Sequence, residues 1–138
     1  MPDRFGKEIR SKIMRRIRSK DTTPERVVRS YLHTAGFRFR LHAKGLPQKP
    51  DIVLPKYRTI VFVHGCFWHQ HPGCKHRHIP KSNKAYWRQK LRKNVVRDAR
   101  NRASLEVLGW KVLVLWECDI LKGNLRLLPS KIRMRGRA

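Results

Sequence analysis

Apolar and polar positions along the chain alternate with two distinct periods. Residues 7–19 place Ile9, Ile13, Met14 and Ile17 at helical spacing among cations, which predicts a short basic amphipathic helix in an N-terminal arm (1–20). Asp21-Thr22-Thr23-Pro24-Glu25 reads as a helix start, with Thr23 as N-cap and Pro24 in the first turn. That helix runs through Val27, Val28, Tyr31 and Leu32 and stops at Gly36. A short strand at Phe37–Leu41 and a loop over 42–50 follow. Two compact apolar runs, 51–54 and 59–63, are joined by Pro-Lys-Tyr-Arg and predict a buried hairpin. From His64 to Pro80 no period holds. A long helix is expected over about Asn83–Leu108, closed by Gly109, then a third buried strand at Lys111–Trp116. Residues 122–138 carry six Lys/Arg and no acid, and read as a basic, partly mobile tail. The fold class is α/β: a small mixed sheet, apolar on both faces, flanked by helices.

Composition narrows the function. Thirty-four Lys/Arg against nine Asp/Glu give a net charge of +25, and 40% of residues are hydrophobic. A chain of 138 residues with four tryptophans is a single folded domain, 1–138, rather than a disordered basic tail. Such charge calls for a polyanion, nucleic acid first, although a ribosomal-type structural protein has the same composition. The longest apolar runs, IVFV and VLVLW, are too short for a membrane span, and the N-terminus lacks the apolar core of a secretory signal. A cytoplasmic, nucleoid-associated protein is expected. Three cysteines, an odd number, suit metal binding in a reducing compartment.

Those cysteines converge on one candidate site. Cys66, His71 and Cys74 form Cys-x4-His-x2-Cys, and Cys118, after the third strand, can close a four-ligand structural zinc site. His69, His76 and His78 stand close enough to compete as ligands.

In so basic a chain each acid needs a reason. Asp51 opens a predicted buried strand, where a carboxylate loses hydration and wants a cation. It is equally placed to form a turn after Pro50, and the next strand lacks the acid-x-Lys pattern common in metal-dependent nucleases. Asp98 shares a helix face with Leu91 and Val95, where it can orient a histidine or pair with Arg102 one turn on. Glu25 suits the N-terminal end of its helix dipole. Phe67 and Trp68 in the Cys/His loop, and Trp87 on the basic helix, fit base stacking or insertion, with core packing as the alternative. Trp110 and Trp116 read as core.

The string HGCFWHQHPGC, with PDIVL, DTTPE, WRQKLRKNVVRDAR and the late WEC, resembles the very short patch repair endonucleases over roughly residues 10–120. The resemblance implies a fold related to type II restriction enzymes, a structural zinc, and a magnesium-dependent nick 5′ of the thymine in a T:G mismatch, the product of 5-methylcytosine deamination. It implies Asp51 and the Val63 carbonyl as magnesium ligands. His64 and His69 would lie at the scissile phosphate, with His69 the base acting on water, Asp98 orienting it, and Glu25 supporting the site. Cys66, His71, Cys74 and Cys118 would bind zinc, and Phe67, Trp68 and Trp87 would wedge beside the mismatch. The implied partners are mismatched duplex DNA and mismatch-repair proteins, with the chain a monomer. Pro72-Gly73 and Gln70 depart from the family pattern within the zinc loop. A restriction-type nuclease needing no mismatch and a non-catalytic zinc-stabilised DNA-binding protein are the competing readings.

Overall fold

The computed structural model describes residues 22–42, 45–46 and 50–134. The expected basic helix at 7–19 and the N-terminal arm lie outside the described residues.

Helix α1 spans Thr23–Thr34. Its N-cap is Thr22, one residue earlier than expected: the Thr22 hydroxyl accepts from the Glu25 N–H, which leaves Thr23 inside the first turn. The strand expected at 37–41 shrinks to β1, Arg40–Leu41, because only these two residues find ladder partners, Val53 and Ile52. Phe37 is buried without being in the sheet. The predicted hairpin is present as β2 (Ile52–Leu54) and β3 (Thr59–His64), joined by a 3-10 turn at Pro55–Tyr57. Arg58 completes the turn in the left-handed region (φ 48°).

Helix α2 covers Lys84–Val107 and β4 covers Lys111–Trp116. The sheet order is β1-β2-β3-β4. The first three strands are antiparallel, whereas β4 lies parallel to β3, from Thr59 opposite Lys111 to His64 opposite Trp116. A parallel neighbour needs a crossover, which the Cys/His loop and α2 supply.

Side chains of a strand alternate between faces, so each strand feeds two cores. On one face Val61, Val63, Leu113 and Leu115 pack with Val28 and Leu32 of α1. On the other, Ile60, Phe62, Val112 and Val114 pack against Leu105 of α2. The sheet is therefore the middle of three layers. No described helix is long and apolar enough to cross a membrane.

The C-terminal segment corrects the expected tail. Two further helices, α3 (Glu117–Leu121) and α4 (Leu128–Arg133), follow β4. Ile120, Leu125, Leu128 and Ile132 are buried in the α1-side core. Lys111 Nζ donates to the carbonyls of Lys131 (2.5 Å), Ile132 (2.9 Å) and Met134, capping the open end of α4. The cations of this segment ride on the outer side of an apolar stripe, so residues 122–134 are part of the packed domain.

Candidate active site and metal centre

The parallel pair β3 and β4 ends at His64 and Trp116, and the chain leaves both ends to build the site. An open cleft of about 1220 Å³ lies there, lined among others by Glu25, Asp51, His64, Trp68, His69 and Asp98.

Asp51 precedes β2, and its Oδ2 accepts a 2.9 Å hydrogen bond from the Val63 N–H on the adjacent strand. Burial raises its pKa to about 6; the Val63 hydrogen bond opposes that shift and the negative charge of Glu25 adds to it. Glu25 is itself buried and paired with Arg29 at 3.0 Å. The same guanidinium nitrogen lies 3.2 Å from His42 Nε2, and the His42 N–H donates to the Asp51 carbonyl at 3.2 Å. The buried carboxylate of Glu25 and the half-buried one of Asp51 line the same cleft and form a donor set suited to a hard divalent cation.

In the same cleft, His69 Nδ1 lies 2.6 Å from Asp98 Oδ2. The alternative pairing of Asp98 with Arg102 is absent; Arg102 binds Glu106 at 2.8 Å and reaches the Val112 carbonyl. Val95 is not on the inner face as expected but exposed at 43%, and the buried stripe of α2 runs through Leu91, Asn101 and Leu105. His64 stacks on His69, ring centroids 3.8 Å apart and planes at 6°. Burial, then the neighbouring His69, lowers the His64 pKa to about 3, so its ring is neutral. Potential ligand atoms of His64, His69 and Asp98 lie within 4.8 Å of one another. Stacked rings, however, keep their in-plane lone pairs in two parallel planes, which do not converge on one ion between the rings. That geometry suits proton handling better than chelation.

The ligand atoms of Cys66, His71, Cys74 and Cys118 also lie within 4.8 Å of one another. His71 presents Nδ1, 3.7 Å from Cys66 Sγ and 3.4 Å from Cys118 Sγ. The loop is turned inward by its own backbone. The His71 N–H donates to the Cys66 carbonyl (2.9 Å), the Cys74 N–H to the His71 carbonyl (3.2 Å), and Gly73 takes a positive φ of 75°. Cys118 lies in α3, and its N–H points at Cys66 Sγ (3.4 Å). Burial pushes the Cys66 thiol up to about 12, while the hydrogen bond from His76 lowers Cys74. Three sulfurs and one imidazole nitrogen fit a soft tetrahedral cation. Two of the three competing histidines are engaged elsewhere: His69 on Asp98, and His78 on the His76 carbonyl and the Phe67 ring.

Phe67, Trp68 and Trp87 come together, with centroids 5.2 to 5.8 Å apart. Phe67 and Trp87 are half-buried, whereas Trp68 is only 9% exposed and its carbonyl is bound by Asn94 Nδ2 at 3.1 Å. Trp116, expected to be core, instead joins the two centres. His71 stacks on it at 4.2 Å and His64 meets it edge-on at 5.2 Å. Sequence reasoning also passed over Arg29, His42 and Asn101. Only Asn101 left a signal, three residues beyond Asp98 on the same face.

The family model described as DNA mismatch endonuclease Vsr matches residues 2–76. The type II nicking enzyme V.XorIIP of Xanthomonas oryzae pv. oryzae is 48% identical over 96% of this chain and 96% of its own. The type II nicking enzyme V.NmeAIP of Neisseria meningitidis serogroup A is 50% identical over 87% of this chain and 85% of its own. The DNA mismatch endonuclease Vsr of Escherichia coli is 41% identical over 98% of this chain and 85% of its own. With that likeness running through both the cleft and the cysteine cluster, the chain belongs to the Vsr family and is a DNA endonuclease.

Proposed function

We propose that this endonuclease nicks one strand of duplex DNA 5′ of the thymine in a T:G mismatch, with magnesium, in repair of deaminated 5-methylcytosine. The observation that carries the reading is that the His69–Asp98 pair and the Asp51 carboxylate line one cleft, which Phe67 and Trp68 also line, with Trp87 packed on those two rings. The name of the Escherichia coli relative supports the mismatch, and the nicking enzymes support a single-strand cut. The β2–β3 hairpin, with β4 parallel to it and Asp51 at its mouth, supports a restriction-endonuclease-like core.

Asp51 and the Val63 carbonyl would hold magnesium, which when bound neutralises phosphate charge and stabilises the leaving oxygen. Asp98 fixes the ring of His69 through Nδ1, so Nε2 is the nitrogen left to take a proton from water. The carboxylate then stabilises the imidazolium that forms. His64 backs that ring as a neutral surface, and Glu25, held by Arg29, supports Asp51. Cys66, His71, Cys74 and Cys118 would hold zinc as a closed structural site. Phe67, Trp68 and Trp87 would stack at an opened T:G step.

Comparing nicking of one duplex carrying T:G, T:A or C:G at the same position, with and without magnesium, tests the reading. Nicking confined to T:G with magnesium is expected; equal cutting of the paired duplexes would overturn it.

A further inference from the structure

The two parallel strands end alike. β3 runs into His64-Gly65-Cys66 and β4 into Trp116-Glu117-Cys118, in each case a ring followed two residues later by a cysteine. His64 and Trp116 are register partners, and their rings meet with centroids 5.2 Å apart and planes at 74°. Two residues on, the Cys118 N–H lies 3.4 Å from Cys66 Sγ, and both sulfurs belong to the Cys/His cluster. His71, the nitrogen donor of that cluster, lays its ring on Trp116 at 4.2 Å and 11°. One half-buried indole, itself lining the cleft, thus touches a ring of each centre. His64 has little else to fix it. Its Nδ1 is buried without a hydrogen-bond partner among the described residues, and its ring meets the rings of Phe62, His69 and Trp116. Of these supports, Trp116 is the one supplied by the neighbouring strand.

We propose that Trp116 is a positioning residue that couples the Cys/His metal site to the cleft by holding His71 on one side and His64 on the other. With the cluster closed on zinc, His71 is fixed against the indole and the ends of β3 and β4 are pinned together. The indole then keeps the His64 ring in its stack with His69. Coupling of this kind is reciprocal, so the His64 ring in turn helps the cluster to retain its metal. This role rests on the proposed readings that the cluster holds zinc and that the two histidines face the reacting phosphate.

The test uses the zinc-loaded full chain and times zinc release to an excess of a chromogenic chelator. W116M, which fills the volume without a ring, should release zinc about tenfold faster, the upper end of what an aromatic pair contributes. H64Q, which touches no metal donor, should release it about threefold faster through the lost ring contact. The double variant W116M/H64Q should be no faster than W116M alone, because both changes break one path. W116M should also lower kcat on T:G duplex roughly tenfold with KM unchanged, part of what general acid–base catalysis supplies, and W116F, which keeps a ring, should restore most of both losses. Zinc release in W116M at the wild-type rate, or additive effects in the double variant, overturns the coupling. If W116M fails to fold, H64Q decides alone, and an unchanged release rate there overturns it. A wild type that holds no zinc overturns the zinc reading and the coupling together. If wild type fails to nick T:G duplex while the release rates still respond non-additively, the mismatch reading fails and the coupling stands.

Discussion

His64 and His69 lie face to face, 3.8 Å between centroids and 6° between planes, yet only His69 has a carboxylate on its Nδ1. One ring is equipped to hold a proton and the other is not. His69→Ala should lower the nicking rate by roughly 10²–10⁴, the usual worth of a general base. Asp98→Asn should cost less, because the ring stays oriented and loses only its stabilised charge. Single-turnover rates at saturating DNA measure both, and equal nicking by wild type and His69→Ala would remove His69 from proton transfer.

Asp51 carries a stability cost that pH exposes. Its folded pKa of about 6 lies above the ordinary 3.8, so burying the ionised form penalises folding. The favourable contribution of the protonated acid is complete below pH 3.8 and is lost as pH rises through 6. At 1.36 kcal/mol per unit, the penalty at pH 7 is on the order of 3 kcal/mol. Metal-free Asp51→Asn should therefore melt higher than wild type at pH 7 and nearly equal to it at pH 4, while nicking falls by several orders of magnitude. Magnesium should raise the melting temperature of wild type and not of the variant. Paired melting curves at the two pH values, with and without magnesium, give the answer.

Cys118→Ala removes the one sulfur supplied by α3 to the Cys/His cluster. Zinc content should fall well below one ion per chain, and the loss in stability should reach several kcal/mol, since structural zinc binding is folding free energy. Elemental analysis and denaturant melting check this. Full zinc content with unchanged melting would break the four-ligand assignment.

Trp87 is half-buried and leans on Phe67 and Trp68. Trp87→Ala should weaken binding to T:G duplex by about 1–3 kcal/mol, the worth of one base stack, and weaken binding to matched duplex much less. The slope of affinity against salt should not change, because no phosphate contact is lost. Titrations of both duplexes at two salt concentrations decide the matter, and equal loss on both would make Trp87 a packing residue.

Elements whose burial was written in an unbroken apolar period were legible from the chain. KVLVLW, bounded by Gly109 and Glu117, is β4 to the residue, and the 52–54 and 59–63 runs are the hairpin. Helix α4 was hidden because Leu125, Leu128 and Ile132 sit among four cations, and charge masked a stripe of only three positions. The direction of β4 was not legible either, since a buried strand reads the same parallel or antiparallel. In the site, the Cys/His spacing pointed to a cluster by itself. The closeness of Asp98 to His69, 29 residues apart, needed the crossover of α2. Trp116 looked like core because its two histidine neighbours come from a loop without period.

The parallel pairing of β3 with β4 also sets the order in which the molecule can be assembled. Cys66 and Cys118 are 52 residues apart, and they meet only after α2 has crossed the sheet and β4 has docked. Local pieces, the hairpin and the long helix, can form first, whereas this contact must await the closure of a long loop. The Cys/His cluster is thus a late latch rather than a nucleus. Refolding with zinc supplied only after the strands have paired should yield as much native protein as refolding with zinc present throughout.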